Sequence, residues 1–307
     1  MIEIFLTEND ELKKIEKPEK GSWINVVSPN DEEVKILKEL APLSEDFFVS
    51  LKDVNEMPVL ETTESSIFII TRTPQRVAEG EEKGYVTIPL GIFANNDYII
   101  TICYFQNDVV EAFKSKKIDT YKRVINMLRL LLTCSEIYAL YLKDLSKDIQ
   151  LTQIELEKNL ANEDIIKMMN IAKYLLYFNT ALKANQFLIE KITKKDTLTR
   201  SFYEKELIED IIEENTQSAE LVNIYIGILH ELTNGFSSVI ANNLNKVMKF
   251  LTSVTIILML PTLVASIYGM NVDLPFQKFP HAFWITMLIS FTISTCSAFI
   301  FWKRKLF

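Results

Sequence analysis

Asn245, Met248, Leu251 or Thr252, Thr255, Met259, Thr262 and Ser266 recur at steps of three and four. That spacing places side chains on one stripe of an α-helix. The stripe carries a carboxamide, hydroxyls and thioethers along a stretch that is otherwise apolar, and lipid alone does not select such a row. Three roles suit it. The hydroxyls could bond back to carbonyls one turn earlier, the small polar groups could serve helix packing, or the stripe could line a polar path. A path needs several copies around an axis, because one helix or hairpin cannot enclose water. Three residues past the stripe stands Gly269-Met270-Asn271, which taken alone reads as a helix cap followed by a turn residue.

Other chemistry is missing from the chain. It has no Gly-rich phosphate loop, no G-x-S-x-G, no H-E-x-x-H, and only two histidines, His230 and His281. An enzyme is therefore not expected, nor an organic cofactor. Cys103, Cys134 and Cys296 lie far apart and read as reduced packing residues.

The stripe belongs to the first of two uncharged apolar stretches, about 250–267 and about 282–302. Each is long enough to cross a hydrocarbon core of roughly 30 Å as a helix. Residues 268–281 join them as a hairpin. Lys246 and Lys249 precede the first span, and Lys303, Arg304 and Lys305 follow the second, so the positive-inside rule puts both chain ends in the cytoplasm and the loop outside. The expectation is a multi-pass protein of the cell membrane. From Lys246 onward six basic residues face one acid, Asp273, so residues 1–245 hold a net −13 of the chain's −8. Such an acidic body is a poor partner for nucleic acid. No secretory signal is expected, because acids fall within the first ten residues and no apolar run follows.

Upstream of the spans, Ile208, Ile211, Ser218, Val222, Tyr225, Leu229, Leu232, Phe236 and Val239 form a coiled-coil-like seam, with one step of seven over Asn215. The seam predicts one helix of more than 60 residues, with Asn234-Gly235 as the single candidate break. Helical patterns from about Asp119 to Lys158 and from Asn162 to Lys194 pack beside it as a bundle. The N-terminal part reads as a small α/β domain. Its strands are expected at Met1 to Leu6, Trp23 to Val27, Ile67 to Thr73, Tyr85 to Phe93 and Tyr98 to Phe105. A capping-box helix starts at Asn30, a second covers Ser44 to about Val54, and a third covers Asp108 to Lys117. The fold class is thus an α+β membrane protein with three parts: a cytoplasmic α/β domain over 1–117, a helical bundle and stalk over 118–245, and a transmembrane hairpin over 246–307.

In this setting, at the outer mouth of the first span with a basic tail following, Tyr268-Gly269-Met270-Asn271 resembles the signature of the CorA family of divalent-cation transporters. Asn245-Lys246-Val247-Met248-Lys249-Phe250-Leu251-Thr252 is similar to the family's Asn-x-Val-Met-Lys-x-Leu-Thr run. The Pro261-Thr262 neighbourhood and the end Lys303-Arg304-Lys305 also match. The domain order agrees over the whole chain, and the specific motifs lie between Asn245 and Asn271.

The resemblance implies a funnel-shaped homopentamer in which five copies of the first span line the pore. Asn271 would form the outer ring that meets the ion, with Gly269 and Met270 shaping it, and Asn245, Met248, Leu251, Met259 and Thr262 would line the conduit. Thr255 and Ser266 share their stripe. Mg²⁺ gives up water reluctantly, so carboxamide and hydroxyl oxygens can bond to its hydration shell. No Cys or His on the stripe supplies a tight soft-metal site. The resemblance also implies a regulatory acidic pair across a subunit interface, at Glu213 and Asp53, which binds cytoplasmic Mg²⁺ and closes the channel. Where the family commonly has Met-Pro-Glu, this chain has Leu274-Pro275-Phe276, leaving Asp273 as the acid of the outer loop.

The expected function is gated Mg²⁺ influx down its gradient, with Co²⁺ or Ni²⁺ as minor substrates. Two alternatives remain. One is a zinc transporter of the same superfamily, and the other is a membrane-anchored scaffold or sensor.

Overall fold

The computed structural model describes residues 1–79, 82–158, 162–195, 198, 201–272, 274–275 and 280–304. In chain order the elements are β1 (Ile2–Glu8), β2 (Glu11–Ile15), β3 (Trp23–Val27), α1 (Asp31–Leu40), α2 (Glu45–Ser50), β4 (Val59–Thr62), β5 (Ser66–Glu79), β6 (Glu82–Asn95), β7 (Ile99–Cys103), α3 (Asp108–Lys114), α4 (Arg123–Lys158), α5 (Asn162–Thr193), α6 (Phe202–Tyr268) and α7 (Ala282–Lys303). The chain forms two compact units, Met1–His230 and Glu231–Phe307.

In the first unit a seven-stranded sheet runs in the order β2-β1-β3-β7-β6-β5-β4. β3 and β7 are parallel, and the other neighbours are antiparallel. On one face Ile24, Val26, Ile70, Phe93, Ile100 and Ile102 pack with Leu37 of α1 and with Phe47 and Phe48 of α2. On the other, Trp23, Ile69, Ile88, Leu90, Ile92 and Ile99 pack with Phe113 of α3, Leu128 and Leu131 of α4, Leu188 and Ile192 of α5, and Ile208 and Ile211 of α6. Coverage on both sides explains why every residue of β7 is buried.

Local signals account for the helix starts. The Asn30 side chain accepts from the Glu33 N–H at 2.8 Å, and Glu33 Oε2 accepts from the Asn30 N–H at 3.0 Å, the reciprocal capping box read from the sequence. α2 is shorter than expected. It stops at Ser50, and Asp53 turns the chain by accepting from the Asn55 N–H. β2 and β4 were not anticipated, because Glu-Leu-Lys-Lys-Ile and Val-Leu-Glu-Thr are short sheet edges without a clean alternation. β5 and β6 extend beyond the expected Ile67 to Thr73 and Tyr85 to Phe93.

The extension of β5 passes Pro74, and β6 contains Pro89 within its expected stretch. Pro89 lies within β6, opposite Arg72 of β5, and has no N–H to give the ladder. Asn185 of α5 holds both backbone polar groups of Arg72. Its Oδ1 accepts from the Arg72 N–H at 3.0 Å and from Thr71 Oγ1 at 3.1 Å, and its Nδ2 donates to the Arg72 carbonyl at 2.8 Å. Tyr138 OH and Cys134 Sγ of α4 donate to the same carbonyl.

Glu3 joins three elements, accepting from Lys114 Nζ of α3 at 2.8 Å and from Lys14 Nζ of β2 at 2.9 Å. The Lys114 bond above all, then the Lys14 bond, lowers its carboxyl from the ordinary 4.5 to about 2. A carboxyl depressed in the fold contributes stability above its unfolded value and loses it as pH falls through the folded one. Part of the acid sensitivity should therefore lie between about pH 4.5 and 2. Glu3→Gln is expected to flatten that portion of a plot of melting temperature against pH, and superimposable plots would contradict it.

The seam is buried at Ile208, Ile211, Ser218, Val222 and Leu229. Tyr225, Leu232 and Phe236 are half-buried, and Val239, expected to be a seam residue, is exposed. Asn215, which the heptad steps skip, is buried because its Nδ2 donates to the Leu182 carbonyl of α5 at 3.2 Å. α6 is a single helix of 67 residues, continuous through the candidate break at Asn234-Gly235 and past Pro261. Among the described residues three helices are long and apolar enough to cross a membrane: α4, α6 and α7. More than half of the apolar window of α4 is buried inside the protein, against the sheet, which makes it a core helix.

Candidate functional site

Within the second unit the span portion of α6 has two distinct faces. Ser253 is 4% exposed, and Val254, Ile257, Leu260, Pro261, Val264 and Tyr268 are half-buried, on one face of the helix. On α7 the half-buried positions Ala282, Ile285, Ile289, Ser290, Ser294, Ser297 and Phe301 form a matching stripe. These are the less exposed faces of the two arms of the hairpin. Asn245, Met248, Leu251, Thr255, Met259, Thr262 and Ser266 are all exposed, and Met259 is 63% exposed. At about 100° per residue their stripe points nearly opposite to the shielded face. The polar row is therefore not the row that packs the hairpin.

The hydroxyls are bonded back along the helix. Thr255 Oγ1 donates to the Leu251 carbonyl at 2.8 Å, and Thr262 Oγ1 donates to the Leu258 carbonyl at 3.2 Å. Back-bonding does not exhaust them. A hydroxyl that gives its proton to the backbone keeps its oxygen lone pairs, so each Thr still presents an acceptor to solvent.

α6 ends immediately before the tripeptide. The Gly269 N–H donates to the Ala265 carbonyl at 2.9 Å, and the Met270 N–H donates to the Ile267 carbonyl at 3.2 Å. Gly269 does not adopt the positive φ of a left-handed helix cap. What it provides is closeness, because a Cβ there would meet the Ala265 carbonyl oxygen at 3.3 Å. Met270 and Asn271 follow as exposed bends, and Tyr268 OH donates to the Pro275 carbonyl at 3.3 Å, folding the start of the loop onto the helix end. Asp273, Phe276 and Lys278 of the loop and Lys305 of the tail lie outside the described residues.

Asp53 and Glu213 are both exposed carboxylates, one on the turn after α2 and the other on α6. Among the described residues no group of three or more His, Cys, Asp or Glu is arranged to hold a metal ion. Cys103 and Cys134 are buried, and burial pushes both thiols above their ordinary range, which suits packing residues.

A family described as "CorA-like Mg2+ transporter protein" matches residues 18–305. The chain belongs to the CorA family. It is a CorA-like divalent-cation transporter, and CorA transporters are membrane proteins rather than enzymes. The cobalt/magnesium transport protein CorA of Methanocaldococcus jannaschii is 27% identical over 291 residues, covering 91% of this chain and 89% of that protein. A magnesium transport protein CorA of Helicobacter pylori is 21% identical over 296 residues, covering 92% and 89%. The complete structure of the Methanocaldococcus jannaschii CorA magnesium transporter covers 98% of this chain and 97% of its own, with a TM-score of 0.84 at 23% identity. The cytoplasmic domain of ZntB from Vibrio parahaemolyticus covers 78% of this chain with a TM-score of 0.60 at 9% identity, and establishes a shared fold alone.

Two features of this CorA-family chain escaped the sequence reading. The periodicity of α7 marked a span but not which of its faces is shielded, although Ser290, Ser294 and Ser297 at steps of four and three were a usable signal. Asn185 stands in a helix with no motif around it, and its task depends on a strand 113 residues away.

Proposed function

We propose that this chain conducts Mg²⁺ into the cytoplasm as a homopentamer, with α6 of each copy lining the pore. The observation that carries the reading is the exposed row of oxygen and thioether side chains on the face of α6 away from the shielded side of the hairpin, ending at Gly269-Met270-Asn271. The relatives named for magnesium or for cobalt and magnesium transport support the same ion class. Five Asn271 carboxamides at the outer mouth would accept hydrogen bonds from the waters of an arriving Mg²⁺, orienting a hydrated ion without stripping it. Below them Thr262 and Thr255, already donating inward, have only acceptor capacity to offer, which suits water polarised by a cation. Met259, Leu251 and Met248 are large and apolar, and rings of them close a path by dewetting when they approach one another. Asn245 supplies the last amide ring before the cytoplasm.

The oxygen donors on this path are hard, and no thiolate or imidazole stands on the stripe, which favours Mg²⁺ over Zn²⁺. Liposomes carrying the purified protein should take up Mg²⁺ along an imposed gradient and take up Zn²⁺ far more slowly. Faster Zn²⁺ uptake would overturn the ion assignment, and no ion flux would favour a scaffold. The protein should run as a pentamer by native mass measurement in mild detergent, and a stable monomer would contradict a pore built from two spans per chain.

Regulation completes the proposal. Asp53 and Glu213 are exposed oxygen donors, and the Oδ1 of Asp53 is engaged by the Asn55 N–H while its other oxygen stays open. Hard carboxylates of this kind fit Mg²⁺, and facing one another across a subunit interface they would favour the closed arrangement when internal Mg²⁺ rises. Asp53→Lys combined with Glu213→Lys should leave uptake less inhibited by internal Mg²⁺. An inhibition curve identical to that of the unaltered protein would remove these two residues as the sensor.

A further inference from the structure

The polar stripe leaves four cations of the second unit unexplained. Lys246 and Lys249 on α6 and Lys303 and Arg304 at the end of α7 are exposed, and none forms an ion pair among the described residues. No acid lies between Glu231 and Arg304 except Asp273, in the loop at the other end of the hairpin. Lys246 and Lys249 stand seven and four residues before Ser253, the most buried position of the span. They therefore continue its face, and at about 100° per residue they point well away from the stripe of Met248, Thr255 and Met259.

The two arms bring the cations to one depth. From Lys246 to Tyr268 α6 rises about 33 Å, and α7 from Ala282 to Lys303 rises about 32 Å, at roughly 1.5 Å per residue. A hairpin of two equal arms across one membrane returns Lys303 and Arg304 to the level of Lys246 and Lys249. Four charges of one sign thus gather at the cytoplasmic boundary, and the two on α6 are turned away from the stripe assigned to the ions. A positive ring inside the conduit would repel Mg²⁺, whereas outside it the same charges can hold anions.

We infer that Lys246, Lys249, Lys303 and Arg304 form a binding site for the headgroup phosphates of anionic phospholipids in the cytoplasmic leaflet. The partner is the membrane rather than a free phosphate, because the cations sit where the apolar spans end and headgroups begin, and Trp302 beside them is exposed at that same boundary. Arg304 contributes a planar fork that can bond a phosphate twice, while the lysines act as point charges. Bound lipid would also neutralise the positive field near the inner mouth, so the lipid composition should tune how readily cations leave the pore.

Trp302 provides the test. In the full chain carrying Trp284→Phe, the other tryptophan, Trp23, is fully buried in the first unit, so quenching by brominated acyl chains reports on Trp302. The protein is reconstituted in phosphatidylcholine bilayers containing an equal fraction of either brominated phosphatidylglycerol or brominated phosphatidylcholine. Phosphatidylglycerol is expected to be enriched about threefold or more at Trp302, and the enrichment should shrink as salt is raised. Lys246→Gln, Lys249→Gln, Lys303→Gln and Arg304→Gln together should abolish it, while Lys246→Arg, Lys249→Arg and Lys303→Arg should preserve it. Equal quenching by the two lipids, or enrichment that survives both the Gln set and high salt, overturns the site. The readout is independent of ion flux, so a protein that failed to transport Mg²⁺ could still show the lipid preference.

Discussion

Asn271→Ala is expected to reduce Mg²⁺ uptake by liposomes at least about 100-fold while leaving the amount of assembled protein unchanged. The argument is one of counting. In the proposed pentamer each subunit would lose one carboxamide acceptor worth about 1 kcal/mol to a bound water, and five subunits would lose theirs at the same ring, so several kcal/mol of ion stabilisation would vanish at the mouth. The side chain is exposed beyond the end of α6, and its removal opens no cavity in the core. Folding and assembly should therefore be indifferent to it. Asn271→Gln keeps the amide but moves its oxygen by a methylene, and is expected to retain an intermediate rate. Uptake by the Ala variant equal to that of the unaltered protein, at equal protein level, would dismiss Asn271 as the outer ring.

The second large effect concerns stability. Asn185→Ala should destabilise the first unit by about 3 kcal/mol, because it strands the Arg72 N–H and the Thr71 hydroxyl in a buried position. The Arg72 carbonyl loses less, since Tyr138 OH and Cys134 Sγ still donate to it. For a unit of this size the loss corresponds to a fall of roughly 5–10 °C in melting temperature, measurable by thermal unfolding of the detergent-solubilised protein. An Asn185→Ala protein that melts with the original would show that the bridge to Arg72 contributes nothing to stability.

The spans, the stripe and the long helix were readable from the residues because each rests on a short-range rule. A helix carries its own hydrogen bonds, so apolar length alone marks a membrane candidate, and a step of three or four shows which side chains share a face whatever lies around them. α4, with bounds Arg123–Lys158, and α5, with bounds Asn162–Thr193, fall within a few residues of the helices expected at Asp119 to Lys158 and Asn162 to Lys194 for the same reason. The family was legible as well, through the setting of Tyr268-Gly269-Met270-Asn271 and not through those residues alone.

The tertiary structure decided matters that depend on which distant atoms meet. β5 runs on past Thr73, where its strand was expected to end, and nothing near Arg72 in sequence announces that Asn185 and Tyr138 will bond to it across the layer. β2 has few apolar residues and becomes a strand by pairing with β1, whose partner on the other side is β3. α4 is apolar enough by composition to cross a membrane, and its place against the sheet agrees with the bundle helix expected there. Which side of α6 is shielded was likewise undetermined by period alone. A 3.6-residue repeat defines faces but does not say what each face touches, and only the burial of Ser253, Ile257 and Val264 left the row of Thr255, Met259 and Thr262 open.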